Sequence, residues 1–260
     1  MDTVLITGGT SGIGYELSKR FAKDNFNIIL VARDEEKLRD TKNKLININD
    51  NIKVFTIKKD LSKIGAGKEV YDEVKTLNLV VTHLVNNAGF GAMGKFNEIK
   101  LEKQLSMIRL NISVLTEITY YFLEDMKKLK RGKILNVASL ASFTPGPYMA
   151  VYYASKSYVL SFSQALKEEL RFSGITVTAL CPGPTKSEFS KRAHAKKSIL
   201  FVMPMSTKRV ARIGYLAMKA GISFIVPGLI NNVFALWLKL TPSLINSQLV
   251  KITSIKTGKE

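Results

Sequence analysis

Along the chain, short apolar runs rich in β-branched residues alternate with longer stretches in which apolar residues return every three or four positions. The short runs predict strands over Val4–Thr7, Asn27–Ala32, Lys53–Ile57, Val80–Asn86, Lys133–Ser139, Thr176–Leu180 and Ser223–Val226. Several are apolar at nearly every position, the pattern of parallel strands covered on both faces. The periodic stretches predict helices over Ile13–Asp24, Glu35–Asn47, Ile64–Leu77, Leu101–Lys130, Tyr152–Arg171 and Thr207–Lys219, with one more after Gly228. This alternation predicts an α/β fold: a doubly wound, Rossmann-type, seven-stranded parallel sheet with helices on both faces and right-handed crossovers. Local signals agree. Asp34 precedes Glu35-Glu36 as an N-cap with acidic residues in the first turn should, and Asn25 supplies a residue tolerant of positive φ where the first helix ends. No linker or repeat divides residues 1–260, so one domain is expected.

Composition narrows the classes. Apolar residues make up 46%, ordinary for a globular chain, and the lone Cys181 cannot form an intramolecular disulfide. The chain runs from Met1 directly into a strand with no secretory signal, so a cytoplasmic location is expected. The formal charge of +18 is spread over many Lys and Arg residues, densest at 127–133, 186–197 and 208–212. A nucleic-acid binder would concentrate such charge on one face among stacking aromatics, so no nucleic-acid partner is expected. A solvated surface is the reading adopted, with attraction to anionic substrates or to a membrane surface as the alternatives. The most apolar segment, Ile222–Leu240, is broken by Pro227, Gly228, Asn231, Asn232 and Lys239 and fails as a spanning helix. It reads as a buried strand, a turn and an apolar helix opening a C-terminal extension over 222–260. His83 and His194 have no neighbours at metal-ligand spacing, so no metal is expected.

Two motifs carry chemistry. The first strand leads into Thr7-Gly8-Gly9-Thr10-Ser11-Gly12-Ile13-Gly14, a glycine-rich turn opening a helix. Such a turn lets backbone approach a pyrophosphate, which the unpaired N–H groups and dipole of the helix N-terminus then favour. The second is Tyr152-Tyr153-Ala154-Ser155-Lys156, which puts Tyr152 and Lys156 on one helical face. An ammonium about 4 Å from the phenol, at an effective dielectric near 20, offers roughly 4 kcal/mol towards its ionisation. Tyr153 lacks such a partner, because Ser157 stands at its own i+4 position.

With these residues in order, the chain resembles the short-chain dehydrogenases/reductases over nearly its whole length. Asn86-Asn87-Ala88-Gly89 resembles that family's NNAG segment, and Asp60-Leu61 its adenine-contacting pair. Asn111 matches the active-site asparagine, and Ser139, thirteen residues before Tyr152, the catalytic serine; Ser142 has the wrong spacing. Pro182-Gly183-Pro184-Thr185 resembles the segment near the nicotinamide. Among members, phrases such as VARDEEKL and CPGPTKSEF look most like bacterial reductases related to long-chain 3-oxoacyl reductases and hydroxysteroid dehydrogenases.

The resemblance implies an NADP(H)-dependent oxidoreductase moving a hydride between nicotinamide and a carbonyl or secondary alcohol. Asn111, Ser139, Tyr152 and Lys156 are the implied catalytic set, with Asn111 bending or opening its helix and Lys156 lowering the Tyr152 pKa. Gly8, Thr10, Ser11, Gly12, Ile13, Gly14, Arg33, Asp60, Leu61, Asn87, Ala88, Gly89, Pro182, Gly183 and Thr185 are the implied cofactor contacts, beside Tyr152 and Lys156. NADP(H) rather than NAD(H) is implied by Val31-Ala32-Arg33, where NAD-preferring members carry an acidic residue. Residues 185–206 are the implied substrate lid, with Phe189, Ile199–Met203 and Met205 as apolar lining for an acyl chain. Its Lys186, Lys191, Arg192, Lys196 and Lys197 would meet an anionic thioester carrier. Small ketones, aldehydes or sugars are the alternative substrates, and a silent cofactor-binding sensor or scaffold is the rival class. A homodimer or homotetramer built through the segments 101–130 and 152–171 is also implied.

Overall fold

The computed structural model describes residues 1–187 and 204–255. Strands β1 (Thr3–Thr7), β2 (Asn27–Ala32), β3 (Val54–Lys58), β4 (Val81–Asn86), β5 (Gly132–Val137) and β6 (Ile175–Leu180) pair in parallel. After them, β7 (Thr185–Lys186) and β8 (Met205–Ser206) form a separate two-stranded sheet, and β9 (Phe224–Ile225) completes the main one. The seven-stranded order is β3-β2-β1-β4-β5-β6-β9. The chain therefore builds outward from β1 in one direction, then returns to lay β4 on its other side. Such a reversal opens a crevice at the carboxyl ends of β1 and β4.

The near-continuous apolar runs are explained by burial on both faces. Leu5, Ile29, Val31, Leu84 and Val177 point into one core, against helices α3 (Ala66–Thr76), α5 (Val114–Leu129) and α6 (Ala150–Glu169). Their neighbours Val4, Ile6, Ile28, Leu30 and Val85 point into a second core, against α1 (Gly12–Lys23), α2 (Glu35–Ile46) and the helix Thr207–Lys219. Alternate residues of a strand face opposite sides, so a strand with two covered faces has no side open to solvent. Asn25 takes φ 64° after α1, and Asp34 caps α2 by accepting from the Lys37 amide at 3.1 Å, both as the sequence predicts.

Three elements differ from expectation. The fifth strand ends at Val137 instead of Ser139, because the Ala138 amide turns onto the Asn136 and Leu180 carbonyls and Ser139 caps a 3₁₀ turn, Leu140–Phe143. The segment 101–130 divides into α4 (Leu101–Ile108), a π-helical turn (Arg109–Ser113) and α5. Beyond Gly228 there are two helices, Leu229–Leu240 and Ser243–Ile255, where one is expected. Pro242 has no amide hydrogen to continue the first. The side chain of Asn246, 1% exposed, then donates to the carbonyls of Leu238 and Thr241 and accepts from the Thr241 hydroxyl, joining the pair.

His83 lies on β4 against the rings of Phe21 and Phe26, with centroids 5.9 and 4.8 Å away. Burial pushes its imidazole down to about 4, so the fold favours the neutral form. The unfolded chain takes up the proton near pH 6.5, so this stabilisation is complete above that pH and is lost as pH falls towards 4. Between pH 7 and 4.5 the group should cost about 2–3 kcal/mol of stability. Urea unfolding of His83→Phe should show a smaller loss than the parent over that range by this amount; equal losses would contradict the assignment.

Candidate active site

The crevice is a cleft of about 830 Å³, built first from the turn between β1 and α1. Gly12 takes φ +57° as the helix begins, a conformation that costs a residue with a Cβ. At Gly14 a Cβ would lie 2.4 Å from both the Asn87 amide nitrogen and the Gly8 carbonyl oxygen, so only glycine lets α1 approach this closely. The approach is used: the Asn87 side chain donates to the carbonyls of Thr7 and Gly8, and the Thr7 hydroxyl accepts from the amides of Asn87 and Ala88, all at 3.0 Å. The segments after β1 and β4 are thus one hydrogen-bonded unit. Ser11 makes no side-chain cap bond and the first turn of α1 holds no acidic residue, which leaves its N–H groups and positive dipole end to the cleft. Gly8, Thr10, Ser11, Gly12 and Ile13 all line it, while Gly14 lies behind them.

At the end of β2 the cleft is lined by cations and carboxylates together, with Lys37 paired to Asp34 and Lys59 to Glu69 at 2.9 Å. Arg33, Lys37 and Lys59 line it together with Ala32, Asp60 and Leu61. The Asp34 carboxylate is spent on the α2 cap and on Lys37, 3.1 Å away. Asp60 accepts from the Ser62 hydroxyl at 2.7 Å and the Ser62 amide at 3.0 Å, and these bonds hold its carboxyl below the usual range, with the charge of Arg33 adding to them. Lys37, Lys59 and Ser62 were not among the predicted contacts. Lys37, four residues beyond Arg33 in the first turn of α2, was the one with a sequence signal.

The proton-handling groups meet at the opposite end. Tyr152 and Lys156, one turn apart on α6, are 8% and 6% exposed and both line the cleft with Ser139. The Tyr152 phenol is hydrogen-bonded to Ser139; burial outweighs that bond and raises its pKa above the ordinary phenol range. Lys156 Nζ donates to the Val137 carbonyl at 2.7 Å, and burial pushes its pKa down to about 8. Burial, rather than the charge of Lys156, dominates the direction of the Tyr152 shift in this arrangement. The ammonium is directed to a strand-end carbonyl and is itself desolvated, so the phenol keeps its proton at neutral pH. Tyr153, packed edge-on to Tyr152 at 6.0 Å, is pushed up to about 12 by burial alone.

Asn111 stands in the π-helical turn, which is the local opening of the helix anticipated there. Its amide donates to the Phe90 carbonyl and the Ser155 hydroxyl, each at 3.0 Å, and its oxygen accepts from the Phe90 amide at 3.2 Å. Ser155 in turn donates to the Tyr152 carbonyl at 2.7 Å. Asn111 lies behind the cleft and clamps the segment after Gly89 to the turn that carries Tyr152 and Lys156. Ser142, set aside on spacing, donates to the Lys156 carbonyl at 2.7 Å and holds the Ser139 loop on α6.

Asn87, Ala88 and Gly89 form one wall, and Pro182, Gly183 and Thr185, after β6, another. The Pro182 carbonyl accepts from the Leu140 amide at 2.8 Å, joining that wall to the Ser139 loop. A Cβ on Gly183 would meet the Asn231 side chain at 2.7 Å, so the C-terminal helix seats directly on this turn. From that extension Ile230, Phe234, Leu238 and Val250 reach the cleft, a contribution the sequence signalled only as an apolar stretch. Of the predicted lid, Thr185–Ser187 and Pro204–Ser206 are described; the expectations for Phe189, Lys191, Arg192, His194, Lys196, Lys197 and 199–203 fall outside the described residues. Cys181 is fully buried with its thiol pushed up to about 12, a form without thiolate reactivity. Among the described residues no three His, Cys, Asp or Glu side chains converge as a metal site.

Residues 2–198 match the family model described as short chain dehydrogenase. The chain is 35% identical over 191 residues to sulfoacetaldehyde reductase 2 of Chromohalobacter salexigens, covering 73% of this chain and 75% of that protein. It is 34% identical to the very-long-chain 3-oxoacyl-CoA reductase of Rattus norvegicus over 68% of this chain, a match that spans 57% of the rat protein. A short-chain dehydrogenase from Sphingobium yanoikuyae, solved in complex with NADPH, superposes with a TM-score of 0.83 at 28% identity, covering 100% of this chain and 98% of the other. The packing around Gly14 predicts that Gly14→Ala lowers stability by about 1–3 kcal/mol, since the methyl meets backbone and a fully engaged amide. Chemical denaturation with an unchanged midpoint would show that the turn can relax around it.

Proposed function

The chain belongs to the short-chain dehydrogenase family, and from that membership we propose that it is an NADP(H)-dependent oxidoreductase interconverting a carbonyl and a secondary alcohol. The observation that carries the proposal is the Ser139–Tyr152 hydrogen bond with Lys156 one turn on, at one end of a cleft whose other end is built for phosphate. The residues present fit the dinucleotide. The open first turn of α1 offers N–H donors to a pyrophosphate, and Arg33 offers charge and a planar fork to a 2′-phosphate, beside Lys37 and Lys59, which are paired with Asp34 and Glu69. Ala32 brings no carboxylate to repel it. When bound, the nicotinamide supplies or accepts the hydride. Asp60 and Leu61 would hold the adenine, Asn87, Ala88 and Gly89 would lie beside the adenosine part, and Pro182, Gly183 and Thr185 would lie near the nicotinamide.

The chain's own residues then handle the oxygen. Ser139 donates a hydrogen bond that orients the carbonyl, and Tyr152 Oη gives it a proton as the carbon is reduced. A phenol held protonated by burial is in the right state for this direction. Lys156, charged below about pH 8, compensates the tyrosinate left behind. Asn111 keeps the Tyr152 turn in place. Apolar walls from Leu110, Leu140, Met149, Phe234, Leu238 and Val250 support an apolar or acyl-chain carbonyl as substrate. Self-association through α4, α5 and α6 is supported by the exposed Leu105, Ile108, Tyr120 and Tyr158.

With NADPH, a medium-chain 3-oxoacyl thioester should show a higher kcat/KM than a small polar aldehyde. Tyr152→Phe should reduce kcat by roughly 10²-fold or more while leaving cofactor binding intact, and Tyr153→Phe should cost far less. A Tyr152→Phe enzyme with near-normal kcat would refute the assignment. Reduction should also slow as pH rises through about 8, where Lys156 loses its charge. Cofactor choice is tested separately: Ala32→Asp combined with Arg33→Ala should move the kcat/KM ratio towards NADH, and a parent enzyme that already favours NADH would overturn the reading of this end of the cleft.

A further inference from the structure

The C-terminal helix pair leaves an apolar face uncovered. Val233, Leu236, Trp237 and Leu240 recur at the spacing of one helical face, and Leu244 and Ile245 continue it after the bend at Pro242. Leu240 and Leu244 are each 76% exposed, and Val233 is 62% exposed. Isolated apolar side chains on a surface are ordinary, but a contiguous patch on two consecutive helices marks a contact surface. The neighbouring stripe of the first helix, Ile230, Phe234 and Leu238, faces the cleft. One helix therefore joins the cleft wall to the uncovered face.

Charge identifies the occupant. No acidic residue occurs between Glu188 and Glu260, although the chain carries +18 overall. Lys208 and Arg209 are exposed near the start of the helix Thr207–Lys219, and Lys251 is exposed on the second of the pair. Docking this face on a second copy would bring like charges together at an isologous interface. A bilayer with anionic headgroups would complement the same charges. At 12 and 13 residues the helices are too short to cross a membrane, and no helix among the described residues is long and apolar enough to do so. We propose that the helix pair 229–255 lies in the interface of an anionic bilayer, its apolar face inserted at the headgroup level and its flanking cations on the lipid phosphates.

Trp237 is the only tryptophan in the chain, so its emission reports on this face directly. The full chain is mixed with vesicles of phosphatidylcholine, or of phosphatidylcholine with phosphatidylglycerol, and followed by fluorescence and co-sedimentation. The anionic vesicles should bind at least roughly tenfold more tightly than the neutral ones, blue-shift the emission and release the protein at high salt. Leu236→Glu with Leu240→Glu should abolish both signals while its circular dichroism matches the parent. Absence of vesicle binding by the parent chain would overturn the proposal, as would equal binding to both vesicle types. So would a concentration-dependent blue shift without lipid, accompanied by a rise in mass on light scattering, because a second copy would then cover the face.

Discussion

The bonds from Thr7 and Gly8, at the end of β1, to Asn87 and Ala88, at the end of β4, hold the molecule at the point where its winding reverses. Two adjacent parallel strands whose helices leave to opposite sides necessarily part at their carboxyl ends. Without a cross-link there, neither the β1–α1 turn nor the segment leading to Gly89 would have a fixed position. Everything downstream inherits that geometry. The open N-terminus of α1 is aimed along the cleft, and Phe90, one residue past Gly89, becomes the backbone group that Asn111 grips. A buried hydroxyl and a side-chain amide thus align the anion-binding end of the cleft with its proton-handling end.

Burial sets the chemistry at that second end. Tyr152 and Lys156 are pressed by the same low-dielectric surroundings in opposite directions, the phenol away from ionisation and the ammonium towards neutrality. Simple proximity of a cation and a phenol on one helical face predicts an activated tyrosinate; desolvation of both groups yields a proton donor beside a weakly held positive charge. The loop bonds from Ser142 to Lys156 and from Leu140 to Pro182 keep Ser139 within reach of the phenol, so its position is secured from two elements far apart in sequence.

The C-terminal helices extend this logic to the surface. Asn231 packs on Gly183, and the stripe from Ile230 to Leu238 completes an otherwise open wall of the cleft. The cost of building a wall from so apolar a helix is that its outer side is apolar as well. The proposed bilayer interface would resolve that cost and would put the cleft's apolar wall next to the phase in which a long-chain carbonyl dissolves.

Much of this was legible in the residues themselves. The seven strands of the main sheet, the α2 cap at Asp34, the left-handed Asn25, the glycine turn and the Tyr152–Lys156 pair follow from local rules: periodicity, capping, glycine geometry and one helical turn of spacing. These depend on neighbours a few positions away, which the sequence displays. What it did not display depends on groups brought together from afar. That Lys156 would bond the Val137 carbonyl, that Lys59 would join Arg33 and that Ser139 would stand beyond its strand are results of packing between distant segments. The same holds for the final segment. Its apolar content was plain, but only the tertiary structure divided it into a face that lines the cleft and a face left open. Hydrophobicity states how much surface seeks cover, whereas the fold decides which part of it finds some.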